Sequence, residues 1–172
     1  MLFLLMILLL AGAAQATEYA DGNLPLAPAP GVVVANYSTP PVVTEVLTVS
    51  NALRAKHGAP PLAWSPAVAK AAQAFIDTCP TGHSGNSAYG ENLGFGYATW
   101  TDVVNAWYAE QAQYDYTKPG FGFDTGHFTA LVWRATTQVG CASKVCPKWT
   151  TYVCNYDPPG NVDGGFQNNV SP

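Results

Sequence analysis

Apolar residues fall into two periods along this chain, and the places where the period changes mark its elements. From about Val42 onward, Val46, Val49 and Leu53 recur at helical spacing until Gly58, Pro60 and Pro61 end the run, which predicts a first helix. Ser65 followed by Pro66 makes a cap and first-turn pair. Val68, Ala72, Phe75, Ile76 and Cys79 then repeat on one side, predicting a second helix closed by Pro80. A third helix is predicted over residues 101 to about 114, with Thr101 as its cap and Asp102 at the positive end of its dipole. Within it Val103, Trp107 and Glu110 are spaced i, i+4, i+7, so a carboxylate lies on the apolar face. Residues 127–133 suggest one further helical turn. The period drops to two over residues 138–143 and 151–156, with Pro147 in the turn between them, and a short extended piece is expected at 91–95 inside the glycine-rich stretch 82–97. The pattern predicts the α/β class, with helices around a small, mostly antiparallel sheet and no internal repeat.

The N-terminal part has neither period. An apolar run over residues 2–10 leads to Ala14-Gln15-Ala16, a small-x-small site suited to signal peptidase, so residues 1–16 are expected to be a signal peptide and Thr17 the mature start. The run is too short for a hydrocarbon core about 30 Å thick, so no transmembrane anchor is expected after its removal. Residues 17–41 carry Pro25, Pro28, Pro30, Pro40 and Pro41 among small residues and read as a flexible segment. The folded domain is expected over 42–166, with a tail at 167–172.

Charge narrows the partners. Only 10% of the 172 residues are charged and the net charge is −4, which leaves no basic footprint for a phosphate backbone and excludes nucleic acid. In a secreted, extracellular protein the four cysteines, Cys79, Cys141, Cys146 and Cys154, imply two disulfides. Asn36-Tyr37-Ser38 and Asn169-Val170-Ser171 are glycosylation sequons, both expected in exposed segments.

Six local strings carry the functional information: His83-Ser84, Gly90-Glu91-Asn92-Leu93, Trp107-Tyr108-Ala109-Glu110, the run Gly126-His127-Phe128-Thr129-Ala130-Leu131-Val132-Trp133, then Gly140-Cys141, and Cys154-Asn155-Tyr156-Asp157-Pro158-Pro159-Gly160-Asn161. In this order they resemble the CAP superfamily of cysteine-rich secretory proteins, antigen-five allergens and plant pathogenesis-related proteins, over about residues 42–162. The resemblance implies a three-layer α-β-α sandwich whose central cleft carries His83, Glu91, Glu110 and His127. Plant members have an extra cysteine pair near the second histidine, where this chain reads Phe123-Asp124-Thr125-Gly126-His127, so it resembles the fungal secreted sterol-binding members more closely. Within that resemblance the expected pairing is Cys79 with Cys141, tying the second helix to the sheet, and Cys146 with Cys154 across the hairpin.

Two neutral imidazoles can bind a borderline metal, and a nearby carboxylate can ligate it or orient a ring. The tetrad therefore suggests a weakly bound divalent cation, zinc or magnesium. The other reading is a hydrogen-bonded network that joins helices and sheet without a metal. Ser84 beside His83, with Glu91 or Glu110, can also be drawn as a nucleophile, base and orienter, but no hydrolase motif accompanies them. His57, next to Gly58, reads as a helix-end residue rather than a third ligand, and Trp64 and Trp133 read as core.

Ahead of His127, Tyr114, Tyr116 and Phe121 fit the aromatic-x-aromatic-x4-aromatic pattern called a caveolin-binding motif, with Pro119 inside it and Phe123 just beyond. In the fungal members that this chain resembles, the corresponding loop is associated with sterol binding and export. Rings on a loop containing glycine and proline can cover a flat lipid, or they can simply pack into the core. The Cys154-to-Asn161 string resembles the source of a plant signalling peptide, but Val162 replaces the usual aromatic, so that role is not carried over. The leading expectation is a secreted, non-enzymatic protein that binds sterols or fatty acids. A metal-dependent hydrolase, and an effector that binds a host or neighbouring-cell protein, are the alternatives.

Overall fold

The computed structural model describes residues 40–172; the expected signal peptide, most of the proline-rich segment and the Asn36 sequon lie outside the described residues. Among the described residues, five α-helices and four strands follow in the order α1 (Pro41–Lys56), β1 (Ala63–Trp64), α2 (Pro66–Ile76), β2 (Gly90–Phe95), α3 (Trp100–Ala109), α4 (Gly126–Val132), β3 (Gln138–Val145), β4 (Thr150–Asp157) and α5 (Phe166–Asn169). The sheet order is β1-β3-β4-β2. Only the β1–β3 pair is parallel; β3–β4 and β2–β4 are antiparallel.

Alternation along the strands sorts the two faces. Val139 and Cys141 of β3, with Tyr152, Cys154 and Tyr156 of β4, face a core built with Val46, Val103, Val104, Trp107, Phe128 and Leu131 of α1, α3 and α4. The intervening residues Ala142 and Val153 meet Ala72 and Ile76 of α2, together with Leu93 of β2. The result is an α-β-α sandwich in which α2 alone covers one face.

Several local expectations are corrected. The third helix is capped by Thr99, not Thr101: the Asp102 amide donates to the Thr99 hydroxyl at 3.1 Å, while the Asp102 carboxylate accepts from the Thr99 amide, a reciprocal capping box. Thr101 instead donates its amide and hydroxyl to Glu45 on α1. The helix also tightens early, so Glu110 opens a 3-10 turn, Glu110–Gln113. Within residues 167–172, Val170 is buried and the Arg134 amide donates to the Asn169 carbonyl. The Asn169 side chain is correspondingly engaged, donating to Gly165 and accepting from the Ala135 amide.

The disulfides are Cys79–Cys146 and Cys141–Cys154, which overturns the expected pairing. Cys141 and Cys154 are directly opposed in the β3–β4 ladder with Cα atoms 4.1 Å apart, so their side chains leave the sheet on the same face. Cys79, just beyond α2, meets the turn between β3 and β4 at Cys146. The second helix is thus tied to the hairpin tip rather than to the strand.

Candidate functional site

Glu110 stands where the 3-10 turn passes the start of α4. Its Oε2 accepts from the backbone amides of His127 at 2.9 Å and Phe128 at 3.1 Å, and its Oε1 lies 2.6 Å from His127 Nδ1. Thr125 gives α4 no side-chain cap, so this carboxylate takes the unpaired amides of the helix start. His127 is held on two further sides. The buried Asn92 amide donates to its carbonyl at 3.0 Å, and the Trp107 ring stacks on its imidazole with centroids 6.2 Å apart. Trp107 is itself fixed by donating its indole N–H to the Leu93 carbonyl at 2.8 Å, which also occupies a backbone acceptor of the edge strand β2.

The second pair repeats the arrangement more openly. His83 Nδ1 lies 2.8 Å from Glu91 Oε1, which also accepts from the Ser84 amide at 2.9 Å. The His83 side chain is 60% exposed, against 30% for His127, because it sits on the loop between α2 and β2. In both pairs an acceptor-only carboxylate faces Nδ1, so Nδ1 carries a proton and the neutral ring keeps its lone pair on Nε2.

A cavity of about 410 Å³ is lined by His83, Glu110, His127, Trp107 and Phe95, so both histidines reach one cleft, with Glu91 behind His83 rather than in its wall. As a cation site the donor set is thin. Among the described residues no group of three or more His, Cys, Asp or Glu is placed to hold a metal ion. The glutamates are occupied in orienting the imidazoles, which leaves two nitrogens and water as ligands for a loosely held ion.

The loop after the 3-10 turn divides in two. Tyr114 is buried against Phe128 and Tyr116, and Tyr116 is half-buried with its hydroxyl accepting from Gln111. Burial raises the pKa of the Tyr114 hydroxyl, and its approach to the Gly120 backbone opposes that shift. Pro119, Phe121 and Phe123 face solvent. Phe121 and Phe123 line a cavity of about 290 Å³ under the loop together with Tyr114, Lys118 and Thr125. They also line a second cavity of about 250 Å³ whose other walls are His83, Glu91, Asn92 and His127. Loop and cleft therefore share a wall.

The remaining candidates fall elsewhere. His57 is buried at the end of α1, with Nδ1 2.7 Å from the Ser171 carbonyl and Nε2 3.1 Å from the Tyr108 hydroxyl. Trp133 is core and Trp64 packs partly buried against it. Asn161 was quoted only as part of a string, yet its side chain accepts from Thr129 and donates to the Gly126 carbonyl, pinning the segment after β4 to the start of α4. Arg54 was missed altogether. It falls eight residues after Val46 on the buried stripe of α1, and a lone arginine at such a position was the available signal.

Known proteins show the same architecture. The model of the cysteine-rich secretory protein family, CAP, matches residues 47–156. Protein PRY2 of Saccharomyces cerevisiae is 43% identical over 136 residues, covering 75% of this chain and 41% of its own length. Secreted protein RBT4 of Candida albicans is 43% identical over 133 residues, covering 70% and 36% respectively. The chain thus spans less than half the length of these fungal relatives. Among solved structures, NaASP2 with Zn2+ superposes with a TM-score of 0.63 at 23% identity, covering 74% of this chain and 85% of that one, a likeness of fold. With this fold, these strings and this coverage, the chain belongs to the cysteine-rich secretory protein (CAP) family.

Proposed function

We propose that this protein is a secreted, non-catalytic lipid-binding member of its family, which captures sterols or fatty acids at the Phe121–Phe123 loop. The observation that carries the proposal is the pair of exposed rings at the mouths of two open cavities. A flat apolar ligand seated there would cover ring surface that water now contacts. Burying on the order of 200 Å² of ligand would contribute about 5 kcal/mol before ordering costs. The two disulfides accord with an oxidising, extracellular setting, and a relative bears the name Secreted protein RBT4. Among the described residues no helix is long and apolar enough to cross a membrane.

The test is a filter-binding assay with radiolabelled cholesterol. Saturable binding is expected, and Phe121→Ala is expected to weaken it about tenfold or more. Absence of saturable binding by the unaltered protein rejects the proposal.

In the same proposal the cleft is a weak cation site. His83 and His127 would present Nε2, with Glu91 and Glu110 holding the rings, and a bound divalent ion would supply positive charge between the two carboxylates. Calorimetric titration with zinc is expected to show weak binding that His127→Ala lowers at least about tenfold; identical isotherms for the two proteins would reject the site. The hydrolase alternative gains nothing from the geometry. The Ser84 hydroxyl accepts from the Asn86 amide rather than bonding to His83, so no nucleophile is coupled to that ring.

A further inference from the structure

We propose that the Phe121–Phe123 knuckle is also a membrane-docking element, which seats this loop on the surface of an electrically neutral, zwitterionic bilayer. The inference rests on the lipid-capture reading and adds where the lipid is met.

It starts from exposure. Phe123 is 92% exposed and Phe121 52%, and their rings meet edge to face with centroids 5.5 Å apart. Adjoining exposed rings of this kind mark a surface that meets a partner. A ligand held in the cavities behind them would touch the inner faces and leave the outer face of Phe123 in water. The cavities alone do not account for the residue.

Area and charge select the partner. Together the two rings present on the order of 300 Å². A stable protein pair needs about 800 Å² from each partner, so a second copy of the chain is poorly served by this patch. A bilayer imposes no such threshold, because aromatic rings enter its interface without a complementary shape. Along the loop the charged residues are Asp115, Lys118 and Asp124, in a chain of net charge −4. The Asp115 carboxylate is held below its usual range, first by the Thr117 hydroxyl and then by backbone amides, so it stays anionic. An anionic surface would therefore repel the loop, whereas phosphatidylcholine would not. The turn between β3 and β4 offers the opposite case: Val145 is 81% exposed between Lys144 and Cys146, with Lys148 nearby, and would suit an anionic surface.

Flotation of protein recovered from culture medium separates these cases. It would be mixed with sterol-free phosphatidylcholine vesicles, or with vesicles partly replaced by phosphatidylserine. The protein is expected to float with phosphatidylcholine and less with phosphatidylserine. Phe123→Ser should reduce the bound fraction about tenfold, and Val145→Ser should leave it unchanged. Phe123 lies outside the core, so unchanged thermal melting of the serine variant would show that folding is intact. No flotation on phosphatidylcholine overturns the proposal. So does binding to phosphatidylserine vesicles alone that Val145→Ser removes, or a dimer in sedimentation that accounts for the effect of Phe123→Ser. Cholesterol binding measured in parallel without vesicles keeps the two ideas apart. Saturable sterol binding without flotation sinks docking only, and flotation without sterol binding sinks the capture reading on which docking rests.

Discussion

Replacing Arg54 by alanine is expected to lower the stability of the domain by at least about 4 kcal/mol, a large part of the 5–15 kcal/mol typical of a domain. The side chain is fully buried, and its guanidinium donates to four backbone carbonyls: Pro60 at 2.9 Å, Leu131 at 2.8 Å, Trp133 at 2.9 Å and Thr136 at 2.8 Å. Leu131 and Trp133 lie at the end of α4, whose last carbonyls have no partner within the helix. Burial lowers the guanidinium pKa to about 10, with the Tyr156 phenol acting in the other direction, so the group remains a cation at neutral pH. Alanine would leave these acceptors in a dry cavity, and each unsatisfied group costs about 1–3 kcal/mol. Lysine should recover part of the loss and still fall about 2 kcal/mol short, because three donors on one ammonium cannot meet four carbonyls. Urea unfolding with the disulfides intact reads both variants. An alanine variant within about 1 kcal/mol of the unaltered protein would show that the carbonyls find other partners.

The second large effect is expected at Gly140, where Gly140→Ala should cost about 3 kcal/mol. Gly140 lies on the face of β3 that meets α2, and a Cβ built there overlaps the backbone at Val68 and Ala69. Helix backbone cannot rotate aside as a side chain can, so α2 must lift from the sheet. The lift would open the contact of Ala72 and Ile76 with Ala142 and Val153. Gly82→Ala is the control, since a Cβ at Gly82 meets nothing within 4 Å, and its stability should change by less than about 0.5 kcal/mol. Equal midpoints for the two variants in urea would refute the close approach of helix and strand.

These two residues also show where reading the chain stops. Period and punctuation place α1, α2, α3 and the β3–β4 hairpin, because an apolar stripe must face a core whatever the core contains. They miss β1, whose two residues carry no period, and α5, a single four-residue turn whose Asn169 accepts from the amides of Arg134 and Ala135 far away in sequence. Thr99 and Thr101 are equally good caps as residue types. Thr99 serves because Asp102 can return its bond and because Trp100, the first helical residue, is buried.

For the site, the family resemblance carried by the six strings nominated His83, Glu91, Glu110 and His127, and residue type said only that such side chains can bind a cation or orient an imidazole. The tertiary structure decided how they are used. Each glutamate faces Nδ1 of its histidine and accepts from backbone amides, which makes it an orienting group and leaves Nε2 as the free atom. It also divided the aromatic loop, turning Tyr114 inward to Phe128 while leaving Phe121 and Phe123 at the rim they share with the cleft. The cysteines make the same point. Their number and setting foretold two bridges, but the partners follow from β-ladder register, which places Cys141 opposite Cys154 and leaves Cys79 to the hairpin tip. What the sequence by itself determined here is local: period, caps and the kinds of chemistry present. Which groups meet, which way a ring turns and which carbonyls Arg54 must satisfy depend on contacts far apart along the chain, and only packing decides those.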